Sequence, residues 1–427
     1  MFKQENYNAY LQILKEELVP ALGCTEPIAV AFGAALARKY LESFPTEMTI
    51  KSSGNIIKNA KSVVVPNTGG LKGMQASMLA GLVGGEPDLG LEVLSKMTEE
   101  NIKEVNELMN TGLINVEKLD TPTTLHMIIS ASDGTNNVEV EIKHMHTNVV
   151  RITLNGKDIV KQDVDDAAFA SSMTDRSILT VDQILDFVEI AKYDDYKDLL
   201  ELQMANNIAI GEEGLTNDYG VSVGKTLIKY GDNNIETKVK AMTAAGSDAR
   251  MAGSTMPVVT NSGSGNQGMT CSIPVIVYAK ENGYDHAKMM KALLLSNLIT
   301  IHVKTGITRL SCYCGAVVAA SGSAAGIMYL DGGSREQIKK AITNVLGNVS
   351  GIICDGAKES CPSKISSALD AAFQAVNLAK DNLVFTHGCG IVEDDIEHTI
   401  KNVGILGKVG MKETDAVILD IMTGIEN

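Results

Sequence analysis

The sequence predicts an α+β protein, with an N-terminal α/β domain built on a small mixed or antiparallel sheet (residues 1–180) and an all-α domain after it (residues 181–427). Three observations predict this division. Apolar residues alternate with a period of two only before about residue 160. Long segments with helical apolar spacing, separated by glycine-rich loops, dominate after residue 181. Between them, the polar stretch 161–180 (KQDVDDAAFASSMTDRSILT) is the candidate boundary.

In chain order, Tyr7, Tyr10, Leu11, Leu14 and Leu18 recur at helical spacing and predict a first helix over 7–18. Residues 27–42 (PIAVAFGAALARKYLE) read as a helix of small residues, with Pro27 suited to its first turn. EMTIKSS and SVVVP have the composition of short strands. NNVEVEIKHM and NVVRITLNGKDI alternate, and the second contains the turn signal Asn155-Gly156. Together they predict a small antiparallel sheet covered by helices. In the second half VDQILDFVEIAKY, DLLELQMANNIAIGEEG, HAKMMKALLLSNLITIHVKT, REQIKKAITNVLGNVSG and KISSALDAAFQAVNLAK all have helical spacing. No repeat of fixed period and no long low-complexity run occurs.

With 427 residues the chain can build two full cores. Hydrophobic residues make up 44% and charged residues 21%, a globular balance that argues against disorder. There is no Trp and aromatics are 4%, so Ala, Leu, Ile, Val and the 19 Met must fill the interior. A net charge of −15 disfavours nucleic acid or an anionic membrane as main partner, since both need basic surface. The N-terminus MFKQENYNAYLQILKEEL has no apolar signal core, and no apolar run approaches membrane-spanning length. The expectation is a cytoplasmic protein acting on a small molecule, with a homodimer as the default assembly.

Seven cysteines in such a chain do not form a disulfide framework. Cys24 and Cys271 stand alone, Cys312, Cys314, Cys354 and Cys361 fall within 50 residues, and Cys389 follows. LSCYCGAVVAASGSAAG sets Cys314 before a glycine, and GIICDGAKESCPSKI carries Cys354 and Cys361. The spacing is neither that of a zinc ribbon nor that of a ferredoxin. Three thiolates can hold three irons of a 4Fe-4S cube and leave the fourth as a Lewis acid. Adjacent glycines let unhindered N–H groups approach the cluster sulfides. The competing explanation is that these are buried free cysteines acting as small hydrophobes. Cys312 is the rival to Cys314 as third ligand, while Cys271 and Cys389 read as bystanders.

Gly23-Cys24-Thr25-Glu26-Pro27 precedes the second helix. Thr25 or Glu26 can cap it, and Glu26 complements its dipole. Cys24 just outside a helix N-terminus is expected to have a depressed pKa, as a nucleophile or general base would. A structural cap preceded by an inert cysteine accounts for the same residues. The loops VVVPNTGGLKG and VVTNSGSGNQGMTCSIP offer N–H groups, hydroxyls and amides to a carboxylate or ammonium, or are tight turns between packed elements. Neither is a Walker or Rossmann loop. His144 and His146 fall on one face of a predicted strand as solvated residues, and the acidic run 393–395 is a surface or a helix start.

GCTEPIAVAFGAA, RLSCYCGAVVAASGSAAG, ICDGAKESCPSKI and TIKNVGILGKVGMKETDAVILDIM together resemble the L-cysteine desulfidases, a family related to the iron–sulfur L-serine dehydratases. The resemblance runs from about residue 10 to the C-terminus. It implies a cluster held by three cysteines, matching Cys314, Cys354 and Cys361, and a role for Cys24. Cys24 stands where the related dehydratases carry the His of a Ser-His-Thr motif, and their last two ligands lie further apart. Both departures point to L-cysteine ahead of L-serine. The implied chemistry is β-elimination without pyridoxal phosphate, the substrate thiolate on the open iron and Cys24 as base. Thr25, with the loop Asn67, Thr68 and Gly69, and Ser264 with Asn266, would hold the substrate. The alternatives are an L-serine dehydratase and a non-catalytic, cluster-bearing redox or amino-acid sensor.

Overall fold

The computed structural model describes residues 2–162 and 173–423. The central part of the candidate boundary 161–180 therefore lies outside the described residues. Among the described residues the architecture is α+β, as the sequence predicts.

Six strands form the main sheet: β2 (Glu47–Ser52), β3 (Ile114–Lys118), β4 (His126–Ser132), β5 (Asn137–Lys143), β6 (Val149–Leu154) and β7 (Lys157–Lys161). Their order is β3-β2-β4-β5-β6-β7, with β2–β3 parallel and the other pairs antiparallel. The alternation legible in β5 buries Val138, Val140 and Ile142 on one face, beside Met127, Ile129 and Ala131 of β4. The helices Thr25–Leu41 and Gly73–Gly84 cover that face. Small residues set how close they come. A Cβ on Gly33 would stand 2.4 Å from Ile129 Cδ1, and one on Gly81 would stand 2.0 Å from the Ala31 carbonyl oxygen.

SVVVP does not become a strand. Val64 makes only an isolated bridge to Lys72. Pro66 has no N–H to offer a ladder, and Val63 and Val65 are buried in two different clusters. The solvated strand expected at His144 and His146 also fails. β5 ends at Lys143, His144 turns at φ +70°, and His146 is buried.

The second core is helical. Gly265–Glu281, His286–Thr305, Gly315–Leu330, Arg335–Val349 and Cys361–Lys380 pack together, and Gly315–Leu330 is buried on nearly every side. The segment SGSGNQGMTCSIP, which looks like a loop, starts the first of these helices. Ser264 Oγ accepts the Gln267 N–H at 3.3 Å as its cap, and Pro274 sits inside the helix.

The chain start crosses into this half. Tyr10, Ile13 and Leu14 of helix Tyr7–Glu17 belong to the helical core, against Phe187. Next, β1 (Pro20–Leu22) pairs antiparallel with β8 (Pro257–Val259), so the second half is not wholly α. This ribbon joins residues more than 230 positions apart and brings the segment after Leu22 beside the segment after Val259. No described helix is long and apolar enough to cross a membrane.

Candidate functional site

Four helices begin around one cavity of about 90 Å³. Cys24 is the N-cap of Thr25–Leu41 and Ser264 that of Gly265–Glu281. Cys314 is the N-cap of Gly315–Leu330, and Cys361 opens Cys361–Lys380. Helix N-termini carry partial positive charge and free N–H groups, so their convergence favours anionic contents. The lining includes Cys24, Thr25, Glu26, Asn59, Arg250, Ser264, Asn266, Gln267, Cys314, Cys354, Cys361 and Lys364.

The structure thus brings Cys314, Cys354 and Cys361 together from three segments. Cys354 reaches the site because the Cys314 N–H donates to the Ile352 carbonyl at 3.1 Å and Tyr313 bridges Ile353. Burial, then the neighbouring Cys354, pushes the Cys314 thiol up to about 12. The same causes push Cys361 up to about 11. Backbone N–H groups oppose this, from Ala316 at Cys314 and from Lys358 at Cys361, as does the Lys364 ammonium. Lys364 is itself held by Asp355 and by the Ile353 carbonyl at 2.9 Å.

Cys312 is turned away from the cavity. Its thiol donates to the Met411 carbonyl at 3.1 Å. Cys271 is buried against the Gly268 carbonyl at 3.2 Å, and Cys389 is exposed.

Among the described residues no group of three His, Cys, Asp or Glu side chains is spaced for a single metal ion. Sulfurs on one tetrahedral ion would lie within about 4 Å of each other. A 4Fe-4S cube needs a wider triad, because each sulfur binds a different iron. The donor set here suits that larger group: three thiols around a cavity, N–H groups aimed at two of the sulfurs, and helix N-termini to offset negative charge. Cys314, Cys354 and Cys361 are the residues that would hold it.

Cys24 is held differently from the sequence expectation. Gly23, at φ +59°, packs against Pro66, where a Cβ would come within 2.1 Å of Cγ. This delivers Cys24 to the cavity edge, but 2% exposed. Its thiol donates to Glu26 Oε2 at 3.1 Å. Burial, then the Glu26 charge, raises the thiol well above its ordinary range, against a weaker pull from Arg250. The helix N-terminus is outweighed, and Cys24 rests as a thiol.

Glu26 is the charged centre of this side. Its Oε2 accepts from Cys24 and, at 3.2 Å, from the Thr25 hydroxyl; its Oε1 accepts from Asn59 Nδ2 at 3.1 Å. His146 Nε2 lies 3.6 Å from Oε1. Burial raises the Glu26 carboxyl, but His146, Cys24 and the backbone outweigh it and hold it down to about 2.

Thr25, Ser264 and Asn266 line the cavity. Asn67, Thr68 and Gly69 do not. The Asn67 amide donates to the Leu94 carbonyl at 2.8 Å and the Thr68 hydroxyl to the Val65 carbonyl at 2.7 Å. Their loop instead supports Gly23 through Pro66 from behind.

Sequence reasoning missed Asn59, Arg250, Gln267 and Lys364, and took Glu26 only for a helix-start residue. One signal was present: Arg250 is a lone cation in the small-residue run TAAGSDARMAG.

The family model for the serine dehydratase alpha chain matches residues 88–420. A protein of Treponema denticola named UPF0597 protein is 48% identical over 424 residues, covering 98% of each chain. One of the same name from Lachnoclostridium phytofermentans is 49% identical over 416 residues, 97% of this chain and 99% of the relative. A third, from Fusobacterium nucleatum, is 47% identical over 419 residues, 97% and 98% of the two chains. With the helical half and its cysteine segments inside the matched range, the chain belongs to the serine dehydratase alpha chain family.

Proposed function

We propose that the chain is an iron–sulfur-dependent, pyridoxal-phosphate-independent lyase that converts L-cysteine to pyruvate, ammonia and sulfide. The observation that carries this is the convergence of Cys314, Cys354 and Cys361 with Cys24 on one cavity at four helix N-termini. A 4Fe-4S group bound through three thiolates supplies an iron with no protein ligand, a Lewis acid suited to a substrate sulfur.

The chain's own residues handle the proton. Cys24 already donates to Glu26 Oε2, so passing its proton to that carboxylate leaves a thiolate at the cavity edge. That transfer is uphill in the resting protein, where Glu26 is the weak base and Cys24 the weak acid. The thiolate then takes the α-proton. The C–H electron pair becomes the Cα–Cβ double bond, the Cβ–S bond breaks with its pair leaving on sulfur, and the proton held by Glu26 passes to the departing sulfide, which restores the carboxylate. The resulting aminoacrylate tautomerises and takes up water to give pyruvate and ammonia. Thr25, Ser264 and Asn266 frame the substrate, and a reducing cytoplasm suits seven unpaired thiols.

The same elimination on L-serine is the second possibility, favoured by the family match. The test is anaerobic purification, iron and sulfide analysis, and pyruvate and sulfide assays with L-cysteine and L-serine in parallel. A full 4Fe-4S complement with pyruvate and sulfide from L-cysteine is expected. Pyruvate from L-serine alone would move the assignment to the dehydratase. Colourless, iron-free anaerobic protein would remove the cluster chemistry. A full cluster whose spectrum ignores L-cysteine, with no product, would indicate a sensor.

A further inference from the structure

Three polar atoms at the cavity have no partner within the described chain: Arg250 Nε, Gln267 Oε1 and Asn59 Oδ1. Their residues are 3%, 1% and 8% exposed. A buried donor or acceptor without a partner is costly, and natural sequences seldom retain one without use for it.

The rest of each side chain is anchored, so the unpartnered atom is aimed rather than loose. Arg250 Nη1 donates to Asn266 Oδ1 at 3.2 Å. Gln267 Nε2 donates to Asn261 Oδ1 at 3.1 Å, and Asn59 Nδ2 donates to Glu26 at 3.1 Å. These bonds set which way both amides face.

Two glycines keep the space open. A Cβ on Gly265 would lie 2.4 Å from Arg250 Nε, and one on Gly315 would lie 2.6 Å from Gln267 Oε1. No ion pair joins Arg250 to a carboxylate among the described residues, so its guanidinium is free to pair with an incoming anion. The cavity lining therefore carries a positive donor at Arg250 and two neutral acceptors, one of them, on Asn59, beside the Glu26 carboxylate.

We propose that Arg250 seats the substrate's α-carboxylate while Gln267 Oε1 and Asn59 Oδ1 receive its α-ammonium, making Arg250 and Gln267 the residues that select a zwitterion. This rests on taking the thiol-lined cavity as the substrate site, and it sharpens that assignment. Arg250 is near enough to act electrostatically on both Cys24 and Cys361. A carboxylate seated on it would set Cα between the base and the thiol triad.

The test separates recognition from chemistry. L-alanine carries both charged groups and no leaving group, propionate carries only the carboxylate, and propylamine only the ammonium. Calorimetric titration of the anaerobically purified full chain should show L-alanine binding at least about tenfold tighter than either. Arg250→Met should weaken L-alanine by at least about tenfold and abolish propionate binding; Gln267→Met should weaken L-alanine comparably and leave propionate unchanged. Equal affinities for the three ligands, no binding of L-alanine, or parental L-alanine affinity in Arg250→Met would each overturn the proposal. Should Arg250→Met fail to fold by circular dichroism, the ranking on the parent and Gly315→Ala decide, because the added methyl would press on Gln267 Oε1. A correct ranking without pyruvate or sulfide production would keep these roles and reject the lyase. Turnover with no ligand discrimination would do the reverse.

Discussion

Replacing Glu26 with Gln should remove a pH-dependent part of the protein's stability. Glu26 is 6% exposed, so burial alone would raise its carboxyl. The His146 ring, the Cys24 thiol and backbone N–H groups reverse that and bring it from 4.5 to about 2. At 1.36 kcal/mol per decade, this drop corresponds to about 3 kcal/mol of preference for the folded, ionised state. The sign follows from the depressed folded value. The stabilisation is fully present above pH 4.5 and disappears as the pH falls from there towards 2. Urea unfolding of parent and Glu26→Gln at pH 7, 5, 4 and 3 measures it. The parent should be the more stable by up to about 3 kcal/mol at pH 7, and the gap should close through the acid window. A gap unchanged from pH 7 to 3 would refute the account of Glu26 as a buried, donor-surrounded carboxylate. The same variant should lose at least about a hundredfold in turnover, since Cys24 would lose its proton acceptor.

Cys24→Ala should keep the brown absorption of anaerobic protein yet lose turnover; normal turnover would remove Cys24 from the mechanism. Cys354→Ser or Cys361→Ser should lower the iron content after anaerobic reconstitution, whereas Cys312→Ser should not, because Cys312 bonds the Met411 carbonyl instead of facing the cavity. Lys58, 1% exposed, pairs with Asp415 of the C-terminal helix and donates to the Cys354 carbonyl at 3.2 Å. Asp415→Ala should therefore destabilise the chain by up to about 3 kcal/mol in denaturant titration, because it leaves the buried Lys58 ammonium without its carboxylate, and a change under about 0.5 would contradict that dependence. Gly81→Val should cost about 2 kcal/mol or more, because a Cβ there meets the Ala31 backbone and cannot be accommodated by a side-chain rotation.

How far the sequence was legible depended on how local each signal was. The helices Tyr7–Glu17, Thr25–Leu41 and His286–Thr305 follow from residue spacing and helix propensity within one segment. β5 and the β6–β7 hairpin follow from alternation and the Asn155-Gly156 turn. β4 went unread although it is a central strand, since Ile128, an apolar residue on the less buried face, interrupts the apolar–polar alternation of HMIISAS. The helix Gly265–Glu281 went unread because its first turn is rich in residues that usually mark turns.

Residue chemistry alone identified the cysteines worth attention, since thiols beside glycines, in a chain without a disulfide pattern, leave few uses. The sequence by itself also determined the α+β division and a helix after Cys24, because propensity acts over a few residues; the expected cap did not form, since Thr25 and Glu26 lie inside the helix, whose N-cap is Cys24 without a side-chain cap bond. Only the tertiary structure faces Cys314 to the cavity and Cys312 away from it, sends Asn67 and Thr68 to bond elsewhere, and brings Glu26, Asn59, Arg250 and Gln267 to the cavity that Cys24 lines. It also kept Cys24 protonated, through burial and a neighbouring carboxylate. The physical reason is that side-chain direction and burial are settled by packing between segments hundreds of residues apart. The β1–β8 ribbon and the four converging helix N-termini decide them here, and no short-range pattern encodes either.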